Sequence, residues 1–106
     1  MISRHWKGIT KPGLAQRYID HLRADTFATL AAIPGYRSAS VLTRDVREGT
    51  EIQVVTLWDS MDAVRAFAGE TADVAVVPPV VQEMMADYDR RVVHYDVADT
   101  HRGSAA

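Results

Sequence analysis

The chain carries four histidines, His5, His21, His94 and His101, and no cysteine. The missing thiols remove disulfides, thiolate nucleophiles, iron–sulfur clusters and Cys-ligated zinc together. No two histidines have the four-residue spacing of a helical metal site, and no carboxylate cluster lies beside them. No metal site is therefore expected. His21 falls one turn after Tyr18 and one turn before Asp25, which puts the three along one flank of a helix. A base oriented by a carboxylate is a catalytic arrangement. A solvent-edge histidine in a weak surface pair is the plainer account and is preferred. Neither a Gly-x-Ser-x-Gly elbow nor a glycine-rich phosphate loop occurs.

Aromatic residues and arginines are the other side chains with chemical use. Trp6, Tyr18, Phe27, Tyr36, Trp58, Phe67, Tyr88 and Tyr95 are of the kind that walls a flat pocket and stacks a ring. Such residues also fill cores, and in a short chain some must. Arg4 and Arg37 lie in strand-like stretches. From there a guanidinium holds a phenolate or carboxylate, or else guards a sheet edge against aggregation.

The elements that must position these groups are legible from periodicity. Ile2 to Ile9 reads as a strand, followed by a turn at Lys11-Pro12-Gly13. From Leu14 to about Ala32 the apolar positions Leu14, Tyr18, Leu22, Phe27 and Leu30 form a helical stripe, which Pro34-Gly35 ends. Tyr36–Asp45 and Glu51–Trp58 read as two strands of a hairpin. A second helix starts at Asp59 or Ser60, either of which caps free N–H groups, and stops at Gly69. Thr71-Ala72-Asp73 offers a cap for a further short helix. Pro79 suits the first turn of a last helix running through Val80, Val81, Met84, Met85 and Tyr88. Arg91 to Val97 reads as the final strand. One domain over residues 1–98 and a flexible tail over 99–106 are expected.

With 106 residues, 47% hydrophobic and 25% charged, the chain suits one modest globular core. A net charge of -2 argues against nucleic acid, which asks for a basic face. No apolar run reaches the roughly 20 residues of a membrane span. The amino terminus lacks the layout of a signal peptide, so no membrane partner and a cytoplasmic location are expected. Strands reading Ile52-Gln53-Val54-Val55-Thr56-Leu57-Trp58 and Val92-Val93-His94-Tyr95 are partly apolar on both faces. A sheet with one wet face alternates instead. Helices in so short a chain cover only one face, and an identical sheet is the simplest cover for the other. A homodimer by sheet-to-sheet packing is predicted.

Several pieces in this order resemble the antibiotic-biosynthesis-monooxygenase-like proteins of the dimeric α+β barrel superfamily. They are Trp6, Thr10-Lys11-Pro12-Gly13, Ile33-Pro34-Gly35-Tyr36, Thr56-Leu57-Trp58-Asp59-Ser60, Phe67-Ala68-Gly69 and Val93-His94-Tyr95-Asp96-Val97, spread over residues 2 to 97. The resemblance implies an α+β, ferredoxin-like βαββαβ chain with antiparallel sheet order 4-1-3-2. Two such sheets meet as a barrel, with a pocket between sheet and helices in each protomer. The haem-degrading members carry an Asn on the first strand, a Trp on the second helix and an iron-ligating His shortly after. Trp6, Phe67 and Val77 stand at those positions here, so haem degradation by that route is not expected.

What the resemblance implies for activity is a small cofactor-free monooxygenase acting on an aromatic phenol, anthrone or quinol. With strands one and four as neighbours, the register, which one sequence does not fix, decides whether His5 and His94 lie close together; two close imidazoles would favour a neutral base. His94 and His5 are the expected catalytic bases, and Arg4 or Tyr95 the anion stabiliser. Trp6, Trp58 and Phe67 are the expected walls, and no cofactor is expected. The plainer account makes each histidine a half-buried strand residue bonded to backbone. The alternative function is a non-catalytic ligand-binding or structural homodimer of the same fold.

Overall fold

The computed structural model describes residues 1–104. Strand β1 (Ile2–Thr10) leads into one long helical passage: α1 (Ala15–His21), a π-helical turn (Leu22–Thr26) and α2 (Phe27–Ala31). The hairpin β2 (Tyr36–Val46) and β3 (Gly49–Trp58) follows, then α3 (Met61–Ala68) and α4 (Pro79–Met84). Two short strands, β4 (Met85–Tyr88) and β5 (Val93–Asp96), end the fold. The sheet order is β2-β3-β1-β4, with β5 also paired to β1, and every pairing is antiparallel. This is the expected α+β ferredoxin-like sheet.

Local chemistry explains most boundaries. Ser60, and not Asp59, caps α3: its Oγ accepts from the Ala63 N–H at 3.3 Å. Asp59 instead pairs with Arg37, the extra residue at a register shift in β2. Gly69 closes α3 with a positive φ of 82°, the conformation glycine adopts without strain. In the β2–β3 turn, a Cβ on Gly49 would lie 1.9 Å from the Thr10 carbonyl, so only glycine fits.

Two expectations at the carboxyl-terminal end are corrected. No helix forms at Thr71–Asp73, where Val74 bridges to Arg91 instead. The last helix stops at Met84, although its apolar spacing continues to Tyr88. Residues 85–88 turn extended because β1 has an open edge there: Gly8 pairs with Tyr88 and Thr10 with Met85. Satisfying backbone groups on that edge outweighs local helical periodicity. The fourth strand of the fold is thus made in two pieces. The expected tail begins at residue 99, and its last two residues lie outside the described residues.

Registers assign the two faces of the sheet. Ile2, Arg4, Trp6 and Gly8 of β1 stand beside Trp58, Thr56, Val54 and Ile52 of β3, all on the helix side. Ser3, His5, Lys7 and Ile9 stand beside Leu57, Val55, Gln53 and Glu51 on the open side. Beneath the helices the core divides in two. One part gathers Trp58, Leu30 and Val64; the other gathers Tyr18, Ile52 and Met84. Complete burial of a side chain such as Leu30, Ile52 or Val64 contributes about 1.5–3 kcal/mol each. No helix among the described residues is long and apolar enough to cross a membrane.

Candidate active site

Between the two halves of the core lies a cavity of about 80 Å³ that opens to solvent. Its floor is the sheet, through Arg4, Trp6, Val54, Thr56 and Trp58. Tyr18, Leu22, Thr26 and Leu30 roof it from the long helical passage. In an α-helix, residues four apart drift by about 40° at each step. The wider π-helical turn at Leu22–Thr26 offsets that drift, and all four stay on the cavity side. Val76 and Pro78 from the segment before α4 close one flank, and Phe67 from α3 contributes another wall.

The aromatic walls are held in place by named contacts. Phe67 stacks on Trp58 with centroids 6.0 Å apart and planes 23° apart. The Trp58 indole N–H donates to Thr56 Oγ1 at 2.8 Å, so neither buried polar group is orphaned. Trp6 is anchored by its own N–H, which donates to the Asp89 carbonyl at 2.8 Å. Gly8 makes room for that ring: a Cβ there would sit 2.7 Å from the Trp6 ring edge.

Among the described residues Arg4 is the one charged group on the wall. It is only 6% exposed. Its Nη1 donates to the Ala72 carbonyl at 2.6 Å and lies 3.0 Å from His94 Nε2. Its guanidinium carbon stands 5.7 Å from the Phe67 ring centroid. Each of these partners is uncharged when His94 is neutral. Burial lowers the Arg4 pKa to about 10, which still leaves a cation at neutral pH. Burial, and next the Arg4 charge, hold His94 below the ordinary histidine range, with Asp73 acting the other way. Arginine has only donors, so His94 Nε2 is the acceptor and Nδ1 carries the proton. Burial also pushes the Tyr18 phenol up, which keeps it protonated.

Of the residues expected from sequence, Arg4, Trp6, Trp58 and Phe67 meet on the cavity wall. His94 touches Arg4 but is not itself on the wall. His5 and Tyr95 are elsewhere: β1 and β5 pair Arg4 with His94 and His5 with Val93. Successive strand residues point to opposite faces, so the two histidines are neighbours in register with the sheet between them. The expected pair of imidazoles is not formed. His5 instead sits 2.7 Å from Ser3 Oγ and meets the Tyr95 ring edge-on at 4.9 Å, on the open face. On the long helix, Tyr18 reaches the cavity while His21 and Asp25 do not.

Tyr18 belongs to the aromatic set named from sequence, whereas Thr26 and Thr56 are polar wall residues that sequence reasoning did not select. Thr56 shares the parity of Trp58 two positions on, a signal available in the sequence. Thr26 depends on the π-helical turn, which no periodicity in the chain announces. For haem, the wall holds no histidine among the described residues, and Val77 has only hydrocarbon to offer iron. Among the described residues no three His, Asp or Glu side chains gather into a metal site.

The fold is shared with solved structures over nearly its whole length. A Bacillus cereus protein assigned as an antibiotic biosynthesis monooxygenase superposes with a TM-score of 0.67 at 17% identity, over 99% of this chain and 98% of that one. A variant of SnoaB, a cofactor-independent oxygenase from Streptomyces nogalater, gives 0.62 at 13% identity, over 93% and 94%. MhuD, a heme-degrader from Mycobacterium tuberculosis seen with two hemes in its active site, gives 0.58 at 19% identity, over 96% and 100%. Identities this low establish the fold alone. No curated protein matches the chain. Sequence reaches further through a family model, antibiotic biosynthesis monooxygenase, which matches residues 1–75. That span runs from Arg4 through Phe67 and takes in the sheet floor and the long helical roof, and on its strength the chain belongs to the antibiotic biosynthesis monooxygenase family.

Proposed function

We propose that the protein is a cofactor-free monooxygenase acting on a flat aromatic phenol, anthrone or quinol bound in the Arg4 cavity. The observation that carries this is a buried arginine with no acidic partner among the described residues, set on the wall of a cavity lined by aromatic rings. Such a substrate becomes electron-rich once ionised and reduces oxygen itself. For an anthrone, CH2 becomes C=O, the second oxygen atom leaves as water, and the substrate supplies every electron. The protein's part is to exclude water, stack the rings between Trp6 and the Phe67–Trp58 pair, and hold the oxyanion against Arg4. His94 acts through Arg4: its Nε2 lone pair faces the guanidinium, so it positions that group rather than taking the substrate's proton.

A homodimer belongs to the same proposal. Leu42, Val93 and Tyr95 on the open face are each about half exposed, and Val55 and Leu57 lie between them. An identical sheet would cover this surface, and it would bury His5 and Tyr95 away from the cavity.

The alternative, a ligand-binding dimer without turnover, is favoured by one fact: among the described residues no Asp, Glu, His or Lys lines the cavity to act as acid or base. Oxygen uptake separates the two. Folded protein with anthrones, hydroquinones and hydroxynaphthalenes should consume oxygen above a heat-killed control, insensitive to chelator. Arg4→Gln should lose that activity while keeping its far-ultraviolet dichroism. Saturable binding with no uptake across the panel overturns the oxygenase in favour of the binding protein.

A further inference from the structure

Arg4 is more than nine-tenths buried, and among the described residues no carboxylate pairs with it. Only its Nη1 is engaged, by Ala72 and His94. Nε and Nη2 make no hydrogen bond among the described residues. Among the described residues no fully buried side-chain nitrogen is left without a partner, so both keep some accessible surface, and Arg4 lines the cavity. These two N–H groups are parallel, the fork that grips two oxygens or one oxyanion. Burying a cation without an anion costs several kcal/mol, and the neutral contacts to Ala72, His94 and Phe67 offset that cost in part. A ligand anion completes the balance.

The rest of the wall says when the ligand must lose its proton. Among the described residues no carboxylate, imidazole or amine lines the cavity, and the Tyr18 phenol is held protonated. His94 turns its Nε2 lone pair to Arg4. A neutral phenol arriving here meets no group placed to take its proton.

We propose that the ligand enters already ionised: a flat aromatic with a carboxylate or an acidic phenolate on its edge, gripped by Nε and Nη2 of Arg4. This rests on the cavity being the substrate site. The proton is left in bulk water before binding, and the protein takes none.

Three probes of similar ring area test it by calorimetry: naphthoate, a dinitronaphtholate and the neutral naphthalenemethanol. Trp6 and Trp58, the two tryptophans of the chain, both line the cavity, so naphthoate should also quench intrinsic fluorescence. At least one anion should bind roughly ten- to a hundredfold more tightly than the alcohol. Which anion wins separates a carboxylate ligand from a phenolate. Arg4→Gln should erase the preference and Arg4→Lys should keep part of it. If Arg4→Gln does not fold, the three probes on the unaltered protein still decide. Equal affinity for alcohol and anions, or binding of none of them, overturns the proposal. Oxygen uptake from anthrone without an anion preference overturns it and leaves the oxygenase standing. An anion preference without any uptake keeps it and removes the oxygenase.

Discussion

Arg4 and His94 stand opposite one another in the β1–β5 pair, with Nη1 of one 3.0 Å from Nε2 of the other. The contact holds only while the imidazole is neutral, because a protonated ring would turn a second donor toward a guanidinium that has no acceptor. His94 therefore reports on the charge at Arg4. Burial and the arginine lower its pKa in the folded state below the ordinary 6.5. Below about pH 6.5 the unfolded chain then binds more protons at this position than the folded one, and stability falls with pH through that window. His94→Gln keeps an acceptor for Arg4 and removes the titration. Between about pH 7.5 and pH 5 the unaltered protein should lose more stability than His94→Gln, by urea midpoint. Equal losses would show that His94 titrates as it does in the unfolded chain.

Gly8 controls the position of Trp6. Its Cβ in Gly8→Ala would meet the ring edge at 2.7 Å and Met85 Sδ at 3.1 Å. We expect a stability cost of about 1–3 kcal/mol from overpacking. The ring must also tilt toward the cavity, so affinity for a naphthoate probe should fall and Trp6 emission should shift. Unchanged affinity would place the aromatic ligand away from Trp6.

Thr56 exists at this position to satisfy an indole. Thr56→Val is nearly isosteric and leaves the buried Trp58 N–H unpaired, for an expected loss of about 1–3 kcal/mol. Pairing it with Trp58→Phe removes donor and acceptor together. The double variant should then be less destabilised than the two single losses summed. Strict additivity in chemical denaturation would mean that the 2.8 Å contact contributes nothing of its own.

The open sheet face should self-associate. Leu42 is 51% exposed on β2 and Val93 is 51% exposed on β5, with the apolar Val55 and Leu57 between them. Sedimentation should give the mass of a dimer for the unaltered chain and of a monomer for Leu42→Lys with Val93→Lys. A monomeric unaltered chain, at concentrations well above micromolar, would sink this assignment.

Much of this molecule was legible in the order of its residues. Pro34-Gly35, Ser60 and Gly69 mark element ends through fixed backbone preferences, and the three long strands and the first helix follow from periodicity. These are local effects, carried by residues a few positions apart. The strand at Met85–Tyr88 was not legible, because it forms on an edge that only exists once β1 is in the sheet. Nor was the separation of His5 from His94. Parity tells which residues of one strand share a face, but not which face the helices cover, and here both faces are partly apolar. Arg4 read from sequence as a strand cation with two uses. Only the folded chain, by pairing it with His94 and burying it over Phe67 with no acid beside it among the described residues, decided that it lines a cavity. The residues set the menu of local shapes through short-range sterics and capping. Long-range register, a cooperative property of the whole sheet, decided which side chains meet.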